Sequence, residues 1–201
     1  TQLLGFFLGG LAAYLLAREL GASPEAGLLA SAAYTLAPFH LVNVYVRGDS
    51  LSEFYAMGLY PLIVWAMLRL VRSTADSSPG ASMRYAALLA ASYAALVLTH
   101  NISALLFSPL LGLWLLAEVW HRQRAGRLAA LAKGMGAIAL GLALSAWFWA
   151  PALREASLVQ LGEQTSGYLH FAGHFLDTNL IQPHPIHDYA IERGTEPFRM
   201  G

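Results

Sequence analysis

Apolar residues in this chain come in runs far longer than a strand or a surface helix, and polar residues gather where the runs stop. The first run, Leu3 to Leu16, extends to Leu20 once Arg18 and Glu19 sit at an interface. Gly21 and Ser23-Pro24-Glu25 end it, with Ser23 suited to an N-cap and Pro24 to a first helical turn. A second run covers Ala26 to Val46, with Pro38 inside it, and a third covers Phe54 to Val71, with Pro61 inside it. Membrane helices tolerate such prolines when neighbours satisfy the freed carbonyl. A polar loop from Arg72 to Arg84 follows.

Tyr85 to Trp120 is apolar for 36 residues. As one helix it would reach about 54 Å, too far for a ~30 Å hydrocarbon core. Its one strongly polar place is Thr99-His100-Asn101, so two short spans with a break at His100 are expected. A last run covers Leu128 to Ala150, and after Pro151 the chain turns mixed and polar. The pattern predicts an all-α, polytopic transmembrane helix bundle of about six spans, near 3–20, 26–46, 54–71, 85–98, 102–120 and 128–150. These form a helical domain over 1–150, and 151–201 is expected as an extracytoplasmic segment truncated at its end.

Charge tests that count independently, because Lys and Arg collect in cytoplasmic loops. With six spans, one side holds Arg18, Arg69, Arg72, Arg84, Arg122, Arg124, Arg127 and Lys133, and the other holds Arg47, Arg154, Arg193 and Arg199. A single helix over 85–120 would instead put the two most basic loops on opposite sides. The expected topology therefore gathers the 47–53 loop, the 100–101 turn and the 151–201 segment on the extracytoplasmic face. Trp147, Phe148 and Trp149 fall where the last span meets it, as an aromatic belt should.

Composition narrows the picture further. With 57% hydrophobic and 12% charged residues in 201, a soluble fold of this size could not hide its apolar surface. Disorder is excluded for the same reason, and the absence of cysteine excludes a disulfide scaffold. Twelve basic and twelve acidic residues cancel, so no nucleic-acid partner is expected; the lipid bilayer is. The chain opens inside an apolar run, and an internal fragment of a longer protein is expected.

Four residues could carry chemistry. Arg47, in Val46-Arg47-Gly48-Asp49, offers a planar fork of donors suited to phosphate or carboxylate, or it simply pairs with Asp49 or Glu53. Glu53 could orient Arg47 or cap a helix. His100 and Asn101 interrupt an apolar segment, where an ionisable residue suggests function and a packing hydrogen bond is the alternative. The Asn101-Ile102-Ser103 glycosylation pattern abuts an apolar span and carries no weight. His170 and His174 share a helical spacing, but a solvated face explains them better than a metal, and no metal site is assigned. The Gly5/Gly9 pair suggests packing within the chain. Phosphate loops, nucleotide fingerprints and nucleophile elbows are lacking in the sequence.

The order Ala33-Tyr34-Thr35-Leu36-Ala37-Pro38-Phe39-His40-Leu41-Val42-Asn43, Tyr45-Val46-Arg47-Gly48, Glu53, Pro61, Leu98-Thr99-His100-Asn101 and Ser145-Ala146-Trp147-Phe148-Trp149-Ala150-Pro151-Ala152-Leu153 resembles one family. It is that of the bacterial pyruvoyl-tetrahydropterin synthase-related membrane proteins, which look like glycosyltransferases of the GT-C type. The resemblance implies transfer of a sugar from a polyprenyl-phosphate donor at the outer face of the bacterial inner membrane. Arg47, His100 and Asn101 would then bind the lipid phosphate or the sugar. Glu53 would be a catalytic carboxylate only if no residue upstream of Thr1 serves. No cofactor is expected, although a divalent metal is left open, as is the oligomeric state. A transporter or flippase for a lipid-linked sugar, or a non-catalytic scaffold, are the alternatives.

Overall fold

Every described element of the chain is helical, as runs of this length and apolarity require. A computed structural model describes residues 2–45, 51–75, 78–121 and 126–158, with Ser166 and His170. Helix α1 covers Gln2–Glu19, α2 Pro24–Thr35, α3 Pro38–Tyr45, α4 Leu51–Ala75, α5 Pro79–Thr99, α6 Asn101–His121, α7 Arg127–Leu144 and α8 Ala146–Arg154. Strands are absent among the described residues.

Four of these are long and apolar enough to cross a membrane: Leu51–Thr74 within α4, then α5, α6 and α7. The expected count of about six spans is therefore approximate, with four helices meeting that length and apolarity among the described residues. The expected second run, 26–46, divides in two. Pro38 lacks an N–H and disfavours helix at Ala37, so α2 stops at Thr35 and α3 starts afresh at Pro38. The run 128–150 divides too, at Ser145, whose hydroxyl donates to the carbonyls of Leu142 (2.9 Å) and Gly141 (3.2 Å). Beyond the break a short helix runs from Ala146 to Arg154, followed by a 3-10 turn at Ala156–Leu158.

α4 is the hub. Its spanning window is 61% buried, against 22% for that of α7, and Ile63, Met67, Leu68, Leu70 and Val71 are sealed from the surface. α1 runs parallel to α4: Gly5 meets Phe54, Gly9 meets Gly58, and Glu19 meets Arg69 and Arg72. The glycines let two backbones touch, for a Cβ on Gly9 would lie 3.3 Å from the Gly58 Cα. α5 returns antiparallel, with the Trp65 and Tyr85 rings 5.7 Å apart. α6 folds back on α5 through a Tyr93 hydroxyl donated to Ser108 (2.6 Å), and Ser108 in turn donates to Ala104 O (2.5 Å). α7 then packs on α5, where a Cβ on Gly141 would come 2.6 Å from the Ala90 carbonyl.

Pro61 sits inside α4 without breaking it. The missing N–H frees the carbonyl of Met57, one turn back, and the Tyr34 hydroxyl of α2 donates to that oxygen at 2.6 Å. A neighbour thus supplies what the proline removed, and α2 is fastened to the hub.

These pairings decide which residues share an end of the bundle. One end carries the starts of α1 and α4, the α5–α6 junction and the end of α7. The other carries Glu19, Pro24, Ala75, Pro79, His121 and Arg127.

Candidate functional site

The first of these ends holds the polar interruption at His100. α5 stops at Thr99, His100 is extended (φ −155°, ψ 96°), and α6 starts at Asn101. At the reversal the His100 N–H bonds to Leu96 O (2.9 Å), and the His100 carbonyl accepts from the Ala104 N–H (3.0 Å). The imidazole caps α6: its Nδ1 accepts the Ser103 backbone N–H at 3.3 Å and lies 2.7 Å from Ser103 Oγ. A backbone N–H can only donate, so the neutral ring carries its proton on Nε2. Packing and chemistry are thereby split between the two nitrogens. Nδ1 holds the junction together, and Nε2–H remains to donate.

Asn101 is exposed, and its Oδ1 accepts the Ile102 N–H at 2.9 Å. With the oxygen engaged, the amide NH2 is the part left to donate. Glu53 is half-buried in the first turn of α4, where a carboxylate is favoured by the helix dipole. It lies at the same end of the bundle as His100. Arg47 lies outside the described residues. His174, His184 and His187 lie outside them too. Among the described residues there is no group of three His, Asp or Glu side chains arranged for a metal.

A feature that periodicity could not show runs beneath this junction. Between α1, α4 and α5 lies an apolar groove of about 420 Å³, lined by Leu8, Leu11 and Leu15 of α1, Leu59 and Leu62 of α4, and Ala95 of α5. Its lining on α1 extends from Gly5 to Leu15, about 15 Å of helix and half of a ~30 Å hydrocarbon core. Tyr55 and Thr99 supply the polar end, and Thr99 adjoins His100. Leu8 and Leu11 are exposed on α1, so the groove opens sideways toward the lipid-facing surface. A second apolar groove, of about 360 Å³, lies among Leu16, Leu20, Tyr34, Tyr60, Phe107 and Trp114. Of its polar lining, the Tyr34 hydroxyl is already spent on Met57.

Two further clusters were invisible to loop-by-loop reading. Glu19 accepts from both Arg72 and Arg69 at the opposite end, and Arg69 lies 5.0 Å over the Tyr85 ring. His40, named in the sequence only as part of a motif, is buried between Tyr34 and Phe54. The only foreshadowing was the Gly5/Gly9 pair, which does pack within the chain.

No curated protein and no solved structure matches the chain. One family model does, over residues 1–179, described as a 6-pyruvoyl-tetrahydropterin synthase related domain and a membrane protein. That match spans α1 to α8 and the segment beyond them, and it agrees with the apolar helices described above. The chain belongs to the 6-pyruvoyl-tetrahydropterin synthase related family of membrane proteins.

Proposed function

We propose that this chain is part of a glycosyltransferase-like membrane protein that takes a sugar from a polyprenyl-phosphate donor at the extracytoplasmic face. The observation that carries the proposal is the apolar groove of about 420 Å³ whose polar end adjoins His100. A long isoprenoid chain needs a dry channel open to the bilayer, and its phosphate needs hydrogen-bond donors where that channel meets the polar zone. The groove supplies the first, and His100 Nε2–H with the Asn101 amide supplies the second. Arg47, in the loop between α3 and α4, adds a cationic fork for the same phosphate.

In the reaction, a carboxylate base takes the proton of an acceptor hydroxyl as its oxygen attacks the sugar C1. The bond from C1 to the phosphate oxygen breaks, and its electron pair leaves with the lipid phosphate. Donors already aimed at that phosphate stabilise the charge as it develops. Glu53 is this chain's candidate for the base or for the group that orients Arg47. The orientation rests on charge: Arg18, Arg69, Arg72, Arg127 and Lys133 lie toward the end opposite His100, which supports a cytoplasmic reading of that end.

The test is sugar transfer from radiolabelled polyprenyl-phosphate donors by the whole protein in proteoliposomes. Arg47→Ala and His100→Asn are each expected to lower turnover by about 100-fold, the usual effect of losing one preorganised donor. Asn is as good an N-cap as the histidine it replaces, so His100→Asn keeps the α5–α6 junction while removing Nε2–H. Undiminished turnover in either folded variant overturns the assignment. The break between α2 and α3 favours a second reading, since discontinuous helices often build transport sites. Movement of the lipid-linked sugar across the bilayer with no covalent product would establish that one instead.

A further inference from the structure

Behind the helix break lies a polar atom that the fold leaves unsatisfied. His40, the third residue of α3, is 8% exposed, and its Nδ1 is buried with no hydrogen-bond partner among the described residues. The Tyr34 ring meets it edge-on at 4.8 Å and the Phe54 ring at 6.4 Å, so the imidazole cannot swing out to water. An unpaired nitrogen in such surroundings is costly enough that native structures almost always supply a partner.

Beside it is a cavity of about 10 Å³ lined by Gly5, Gly9, Gly10, Thr35, His40 and Gly58. Glycine at these places keeps the space open: a Cβ on Gly5 would strike the Phe54 ring, and one on Gly10 would lie 2.9 Å from Thr35 Oγ1. The volume admits one water and nothing larger. Two polar atoms border it. Thr35 donates its hydroxyl proton to Ser31 O at 2.7 Å, so its oxygen is left to accept. His40 Nδ1 accepts or donates according to the ring's tautomer, and water can answer either.

We propose that this cavity holds one ordered water bridging His40 Nδ1 and Thr35 Oγ1. The site is separate from the apolar groove, which lies across the Gly9–Gly58 contact, and it does not depend on the transferase proposal. The water adds a side-chain tie between α2 and α3 to the backbone bonds at the break, Ala37 N–H to Tyr34 O (3.3 Å) and His40 N–H to Ala37 O (2.9 Å). Because His40 also contacts Phe54, the same bridge sets α3 against the first turn of α4. His40 is therefore a positioning residue for α3 against the start of α4.

Proton-detected solid-state NMR on the histidine-labelled whole protein in lipid bilayers tests the site directly. Magnetisation is expected to pass from a slowly exchanging water to the His40 ring, whose signal is assigned by its loss in His40→Gln. Thr35→Val, which keeps the shape and removes one partner, is expected to weaken that transfer by about threefold or more. Backbone exchange at 38–45 should quicken by about tenfold in the same variant, as the cost of one lost buried bond implies. A His40 ring that receives nothing from water overturns the site. So does a Thr35→Val protein with undiminished transfer.

Discussion

At the end of the bundle that carries Glu19, charged side chains are closed on one another; at the end that carries His100, polar groups are left facing outward. The first end binds helices far apart in sequence. Glu19 of α1 takes both Arg69 and Arg72 of α4, and Arg72 also donates to the Glu19 carbonyl at 2.7 Å. Lys133 of α7 donates to Ser82 of α5 at 2.8 Å, and Ser82 lies 3.1 Å from Thr74 of α4. At the other end His100 keeps Nε2 in hand, Asn101 is exposed, and the aromatic α8 lies with Trp147 and Leu153 uncovered. Polar groups spent on one another stabilise a fold but cannot bind a ligand. The molecule keeps those two arrangements at opposite ends of the bundle.

The sharpest way to break this contrast is His100→Asn. Transfer should fall about 100-fold while the unfolding midpoint in bicelles stays within about 0.5 kcal/mol of the parent, because the cap survives. A large fall in stability with activity intact would show that both ends are structural. Glu19→Ala should do the opposite. It leaves two arginines facing no carboxylate and should cost about 2 kcal/mol, read from denaturant unfolding with turnover per folded molecule unchanged. The figure is below the ~3–5 kcal/mol of a fully buried pair, since the arginine side chains are 42% and 35% exposed.

Tyr34→Phe sits between the two ends and should cost about 1–2 kcal/mol, because it strands the Met57 carbonyl that Pro61 set free. Adding Pro61→Ala to that variant should recover most of the loss, as the carbonyl then regains a helical partner. Failure of the second change to rescue would show that Tyr34 acts by packing alone. The smallest effect is expected at Glu25, in the first turn of α2. Backbone hydrogen bonding and the Ser23 side chain hold its carboxyl below the usual range. Its contribution is therefore present above the unfolded value and is lost as pH falls through the folded one. Glu25→Gln should lower the neutral plateau of a stability profile slightly and flatten its acid limb, leaving the most acidic region unchanged.

How much of this was readable in advance follows from the range of each interaction. The apolar runs and the break at His100 are local, set by length and by one polar triplet, and they appear in the helices. Pro38 was visible as an interruption, yet whether it bends a helix or ends one depends on Ala37 and on what neighbours offer its carbonyls. The end of α7 at Leu144 was hidden inside an unbroken apolar run, because the stop is made by Ser145 and Trp149 bonding backward. At the candidate site, His100 and Asn101 announced themselves by being polar in apolar company. The groove beside them could not, since it exists only because α1 and α4 lie parallel with some fifty residues between partners. Glu19 with its arginines stayed hidden for the same reason, and so did the Met57 carbonyl.

The sideways opening of the groove past Leu8 and Leu11 bears on how any occupant arrives. A molecule entering there comes from within the bilayer, so its encounter is a search in two dimensions among neighbouring lipids. Tail length then governs capture mainly through residence in the membrane, at about 0.8 kcal/mol for each methylene. Lipid-borne molecules with clipped tails should therefore fail to occupy it by being scarce at the entrance before they fail to fit. Raising their amount in the lipid phase, and not in the water, would restore them.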